Sequence, residues 1–403
     1  MATLSFNELA FEEKNNKVRV LFKNLFYFEI DKNVLSVIGS YTIKRTEIIF
    51  DNVPEKRAES RFNLILEQGL KNLKSRLNNK SAIYIHQESG IPLIGTNYFG
   101  IIDRGTNMIE LKPMNGCNLD CIYCSVDEGF SSRRLIDYIV EKDYLVSEFK
   151  KLVEFKDCEN IHALIAGQGE TLLYPDIVEL VSDLAKIPNV KNITIITNGI
   201  MLTQELIDTL SDNGLTRLNI SINSLEQGLA DKIANRHYNV KKVMEMIEYA
   251  SKRIEVVLVP VLIPTINDAE IPKIIDFAIS IKNQRGNIRL GIQNFLNYRF
   301  GRNPVNQISW EQFYARLAEM QNLKDEMPLI YKEEVLIETK ELIKPFKKGQ
   351  IVNAKVVCNG RLKNEKLAVV DGRVISVINC KKDGIVKIRI IRSKHNIFVG
   401  IIK

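Results

Sequence analysis

Residues 107–124 read NMIELKPMNGCNLDCIYC: a short apolar run, MIELKP, leads through Met-Asn-Gly into a loop that holds Cys117, Cys121 and Cys124. The run predicts a strand, and the pattern it starts is repeated down the chain. IHALIAG, NITIITNG, TRLNISIN, EVVLVPVLI and IRLGIQNFL read as further strands. Amphipathic helices are expected after the six strands at 133–155, 176–186, 203–213, within 226–252, at 270–282 and at 309–322. Six β/α units in a row, with strands that need cover on both faces, predict parallel pairing and right-handed crossovers. An open doubly wound sheet and a curved partial barrel both satisfy this pattern. Both put ligands at the carboxyl ends of the strands, where the polar residues fall.

Three thiols at this spacing fit a zinc or iron–sulfur site better than three buried structural cysteines, because sulfur-ligated metals are the common reason to gather thiolates in one loop. Cys158, Cys358 and Cys380 stand apart, which argues against a disulfide framework and for a reducing compartment. A zinc site asks for a fourth protein ligand, for which Cys158 and His162 are the nearest candidates. The alternative is a four-iron cubane with one iron left open.

CNLDCIYC resembles the CxxxCxxC loop of the radical S-adenosylmethionine (SAM) enzymes, with Tyr123 at the position that is aromatic in that family. The resemblance runs over about 107–310 and implies a partial (β/α)6 barrel, a [4Fe-4S] cluster held by Cys117, Cys121 and Cys124, and SAM on the open iron. AGQGETLLYPDI resembles the family's glycine-rich segment: Gly167 and Gly169 would allow close backbone approach and Glu170 would meet the SAM amino group. Gln168 and Thr171 depart from the usual Gly-Gly-Glu-Pro form. Asn198 in TNG, and Ser221 and Asn223 in NISINS, resemble the polar residues around the SAM ribose and carboxylate, while VPVLIPTIND resembles the segment along the adenine. Arg217 and Arg236 are candidates to neutralise the SAM carboxylate, or are solvated; Tyr298, Arg299 and Arg302 are candidate substrate contacts. The family also implies an electron donor such as a ferredoxin or flavodoxin. No second cysteine cluster accompanies the first, which disfavours sulfur insertion from an auxiliary cluster.

The flanks differ in kind. Residues 1–105 alternate strand-like runs with one helix-like stretch at 56–77 and read as an accessory α+β module; 106–325 form the core, and 326–341 a linker. From 342 to 403 five short β-rich runs follow one another and suit a small closed barrel. Residues 341–403 carry 15 Lys and Arg against 4 Asp and Glu, a local +11, within a total of +7. This tail resembles the TRAM domain, an OB-like RNA-binding barrel. The resemblance implies phosphate contacts from Lys347, Lys348, Arg361, Lys363, Lys366, Arg373, Arg389, Arg392 and Lys394. Phe398 would stack on a base or fill the core. The expected whole is a cytoplasmic radical SAM enzyme, without a membrane span, modifying a base in structured RNA such as tRNA. Its rivals are a radical SAM enzyme for a protein or small metabolite, and a non-catalytic RNA-binding protein with a structural cluster. A tail of this kind would be removable without loss of the cluster site.

Overall fold

The computed structural model describes residues 1–323, 326–329 and 336–403. Part of the expected linker, 330–335, lies outside the described residues, as do 324–325 at the end of the expected core. Among the described residues no helix is long and apolar enough to cross a membrane.

Six core strands, Met108–Lys112, Ile161–Ile165, Val190–Thr197, Arg217–Ile220, Glu255–Leu258 and Ile288–Leu290, pair parallel with their sequence neighbours throughout. A doubly wound sheet needs a reversal of strand order. None occurs here, so every right-handed crossover leaves its helix on the same side and the sheet curls into a partial barrel. Alternate residues obey the pleat. Ile109, Leu111, Leu218, Ile220, Val256 and Leu258 are buried on one face, while Glu110, Lys112, Asn219 and Val257 alternate with them on the other. Helix Glu270–Asn283 shows the matching stripe, burying Ile271, Ile274, Ile275 and Ala278 at helical spacing. Each of the three isoleucines contributes about 1.5–3 kcal/mol when removed from water.

The expected helix at 133–155 is divided. Residues Ile136–Val140 form a fully buried strand, and only Lys142–Lys156 are helical. That strand pairs parallel with Ser81–Ile85 and completes a six-stranded sheet of the N-terminal region. In the other direction, Gly100–Asp103 joins the core sheet antiparallel to Met108–Lys112. The accessory module and the core therefore exchange strands across residue 105. Helix Glu55–Leu70 is shorter than the stretch at 56–77 suggested; its Phe62 packs against Phe6, Phe11 and Phe50.

The tail closes on itself in the order Ile351–Asn359, Lys366–Val370, Arg373–Ile378, Val399–Ile402, Ile385–Arg392. Asp371 and Gly372, both at positive φ, make the two-residue turn of its central hairpin. Phe398 is fully buried against Phe346 in the barrel's own core, so it fills rather than stacks. Leu367 and Val374 face the main core instead. The backbones meet directly, with Val374 N–H donating to Ile94 O at 2.9 Å and Phe398 N–H to Gly95 O at 2.8 Å. A Cβ on Gly95 would stand 2.1 Å from Val374 O.

Candidate active site

The cysteine loop begins on a two-residue ladder. Asn115–Gly116 pairs parallel with Gln168–Gly169, which places the glycine-rich segment beside the first thiol. Gly169 has φ +134°, and a Cβ there would lie 1.9 Å from Gly116 O, so only glycine permits the approach. Asn115 is buried and holds the ladder, donating to Tyr98 O at 2.7 Å and accepting from Tyr138 N–H at 3.0 Å.

Further along, the loop is held from several sides. Asp120 N–H and Ile122 N–H donate to Ala234 O and Ile233 O, both at 3.0 Å. Arg302 donates to Asp120 Oδ1 at 2.9 Å, Asp127 Oδ1 at 2.8 Å and Cys121 O at 3.1 Å, while its amide reaches Cys124 O at 2.9 Å. The candidate substrate contact is thus a clamp on the cysteine loop. Burial would push the Asp120 and Asp127 carboxyls up, but hydrogen bonds from Ser131 and Arg302 to the first, and from Arg302 and Arg133 to the second, hold both below the usual value.

All three thiols line one cavity of about 430 Å³. Burial raises each of them, Cys121 to about 12 with Cys124 adding to it, so none ionises without a positive partner. Among the described residues no three His, Cys, Asp or Glu side chains converge on a single metal ion, which leaves the zinc alternative with Cys158 or His162 without a ligand set. His162 instead meets Thr194 at 2.7 Å inside the barrel. Amides already point at sulfur: Leu119 N–H to Cys117 Sγ at 3.4 Å and Glu128 N–H to Cys124 Sγ at 3.3 Å. Three thiols around one cavity, with amide donors at two of them, fit the three-cysteine donor set of a four-iron cluster.

The expected SAM residues converge on the same space. Tyr123, Gly167, Gln168, Gly169, Glu170, Asn198 and Ser221 all line it. Asn223 does not; it donates to Tyr123 OH at 2.7 Å and lines a small adjoining pocket. Glu170 is buried, accepting from Leu172 N–H at 2.9 Å, Thr197 OH at 2.6 Å and Asn198 N–H at 2.8 Å. Burial raises its carboxyl despite those three donors. Arg217 pairs with Glu255 at the amino ends of their strands, and Arg236 lies 3.7 Å from the centre of the Phe130 ring; neither lines the cavity.

Sequence reasoning missed Asn118, which accepts from Asn198 Nδ2 at 2.8 Å, and Tyr238, whose hydroxyl holds Asn198 O at 2.8 Å. Neither has a local signal, since each acts through a strand distant in sequence. Also missed was the far end of the cavity, lined by Arg104, Glu110 and Lys112 of the barrel and by Arg392 and Ile397 of the tail.

The tail's nine expected phosphate contacts divide. Arg361 is completely buried and reaches no solvent, so it is not one of them. Arg373 is half-buried and spends its donors on Asn396 Oδ1, Gly372 O and Ile343 O. Lys366 is paired with Asp383 at 2.8 Å. Lys347, Lys348, Lys363, Arg389, Arg392 and Lys394 are exposed.

Sequence comparison agrees with this geometry. The Radical SAM superfamily description matches residues 111–278, which hold all three cysteines and Glu170. An uncharacterized protein of Methanocaldococcus jannaschii is 40% identical over 386 residues, 88% of this chain and 89% of the relative. This chain belongs to the radical SAM superfamily. The superfamily's cofactors are a [4Fe-4S] cluster and SAM. GTP 3′,8-cyclase of Listeria monocytogenes is 34% identical over 223 residues, 53% of this radical SAM chain and 60% of the cyclase. Coproporphyrinogen III oxidase of Escherichia coli, described as a radical SAM enzyme, superposes with a TM-score of 0.36 at 13% identity, covering 61% of this chain and 52% of that one.

Proposed function

We propose that this radical SAM enzyme modifies a base in structured RNA, with tRNA as the foremost candidate, and that its tail presents the substrate to the cavity. In this reading Cys117, Cys121 and Cys124 hold the cluster, Glu170, Asn198 and Ser221 orient SAM, and Tyr123, Gly167, Gln168 and Gly169 shape the surface against which it lies. When bound, the two cofactors supply a reductively generated 5′-deoxyadenosyl radical. The chain's own part is to exclude water and fix geometry: Gly169 admits close backbone approach, Asn118 and Tyr238 hold Asn198, and Asn223 holds the Tyr123 hydroxyl.

The observation that carries the RNA reading is the set of cations on the cavity lining, Arg104, Lys112 and Arg392, the last of which belongs to the tail. Lys112 and Arg104 share one carboxylate, Glu110, and Arg392 adds a guanidinium with no ion pair among the described residues. Of the other two carboxylates on the lining, Glu128 is answered by Arg361 and Glu170 by three hydrogen-bond donors, which leaves the Arg392 guanidinium to favour an anionic ligand group. Lys347, Lys348, Lys363, Arg389 and Lys394, exposed on the same small barrel, extend the charge outward, as a polyanion requires. A flipped base would reach the cavity while its backbone stayed on the tail.

A small phosphorylated metabolite is the second reading, favoured by the same cations and by the similarity to GTP 3′,8-cyclase. Comparing the nucleosides of RNA from cells with and without the gene by mass spectrometry tests the first. Loss of a single modified nucleoside is the expected result. An unchanged nucleoside profile, together with turnover of a nucleotide by the purified enzyme, would select the second.

A further inference from the structure

We propose that Arg361, in the tail loop between strands Ile351–Asn359 and Lys366–Val370, is a positioning residue for the two segments that flank the thiols. Its guanidinium donates to Glu128 Oε1, to Gln168 Oε1 at 3.0 Å, to Asp137 Oδ1 at 3.1 Å and to Ile136 O at 2.9 Å. Its own carbonyl accepts from Leu135 N–H at 3.0 Å. The side chain is fully buried, as are the Glu128 and Asp137 carboxylates it meets. Burying three charges is costly unless geometry and hydrogen bonding are close to complete, and the planar fork of arginine supplies several fixed donor directions that lysine lacks.

Both of its cavity partners lead to the site. Glu128 lies four residues beyond Cys124, lines the cavity, and sends its own amide to Cys124 Sγ at 3.3 Å. Gln168 lies between Gly167 and Gly169 on the ladder that meets Asn115–Gly116, next to Cys117. One guanidinium therefore ties the end of the cysteine loop to the glycine-rich segment. The loop that carries it is itself fixed: Tyr138 OH donates to Asn359 O at 2.8 Å, Tyr98 OH to Glu365 Oε1 at 2.9 Å, and Leu362 N–H to Glu365 Oε2 at 2.9 Å. Asp137 is a charged residue within a fully buried strand, and Gln168 replaces a glycine of the family's usual segment; Arg361 contacts both. The inference holds for any substrate and does not rest on the RNA reading.

The test uses the full chain, reconstituted anaerobically with iron and sulfide, with no RNA present. R361K keeps the charge and loses the fork. Its expected behaviour is a folded protein with near wild-type iron content, SAM binding weaker by about 10–100-fold, and an altered electron paramagnetic resonance spectrum of the reduced cluster. A contact that merely joined two domains would lower the unfolding temperature and leave the spectrum and the SAM affinity alone. A folded R361K with wild-type affinity and spectrum overturns the proposal. Where R361K does not fold, E128A decides in the same way, since it removes one acceptor and leaves the guanidinium three others.

Discussion

The Glu170 carboxylate accepts from three donors, two of them on the end of the third core strand, and it also forms part of the cavity wall. A glutamine there must turn an NH2 toward a donor, which costs about 1–3 kcal/mol when buried. Glu170→Gln should therefore lower the unfolding temperature modestly and weaken SAM binding, with iron content unchanged; iron analysis and calorimetric titration check the two halves separately. Arg302 gives a sharper outcome. Replacing it with Met leaves Asp120 and Asp127, both mostly buried, without their main cation and should cost about 3–5 kcal/mol. In the wild type these depressed carboxyls contribute stability that is complete above their unfolded value near 3.8 and is lost as pH falls through the lower folded value. The variant should keep only the weaker part of that dependence that Ser131 and Arg133 supply, which thermal unfolding across pH 2–6, a range of about four units around those values, would read. That the cysteines and Glu170 would meet at one cavity was legible, because they stand at a local spacing beside strand ends. Arg302 and Arg361 were misassigned because composition registers a cation without registering whether a carboxylate faces it in the fold.

Strand identity was largely readable from apolar runs, and strand order was not. Nothing in the periodicity of TRLNISIN says which edge it will join, so the choice between a reversing sheet and a curling one waited on the pairing itself. The segment 136–140 shows a second limit: Ile136, Tyr138, Ile139 and Val140 form a short apolar run broken only by Asp137, which a helix and a fully buried strand share. It became a strand because Ser81–Ile85 offers an edge and Arg361 answers its one carboxylate, Asp137. Backbone-to-backbone docking of the tail gives a prediction of its own. Gly95→Val places a side chain where Val374 O already stands, and should loosen the tail barrel from the rest, drawing Leu367 and Val374 out of the main core. Limited proteolysis should then cut near residues 336–350 faster than in the wild type, and a second unfolding transition should appear.

Charge and architecture divide the labour unevenly between the two ends of the chain. Residues 341–403 carry +11, and residues 1–340 carry −4. Yet the tail is no detachable anchor, since it supplies Arg361 to the cysteine loop and Arg392 to the cavity wall. Deleting residues 342–403 should abolish SAM binding and expose apolar surface around Ile94 and Leu93, seen as aggregation and dye binding. Reversing Lys347, Lys348 and Lys363 to glutamate should instead leave fold and SAM binding intact and reduce affinity for RNA. In the wild type, log affinity should fall with log salt by about 0.7–0.9 per neutralised phosphate, and the triple variant should lower that slope.

Because the last wall of the cavity comes from the tail, the site is also ordered in time. Ile351 leaves the ribosome about 230 residues after Cys124, an interval of roughly 10–45 s at 5–20 residues per second. During that interval the parallel strands can pair and gather the three thiols while one side of their chamber still lacks Arg361, Arg392 and Ile397. Metal delivery to a nascent chain would meet an open vestibule, whereas delivery after release would have to pass a finished barrel.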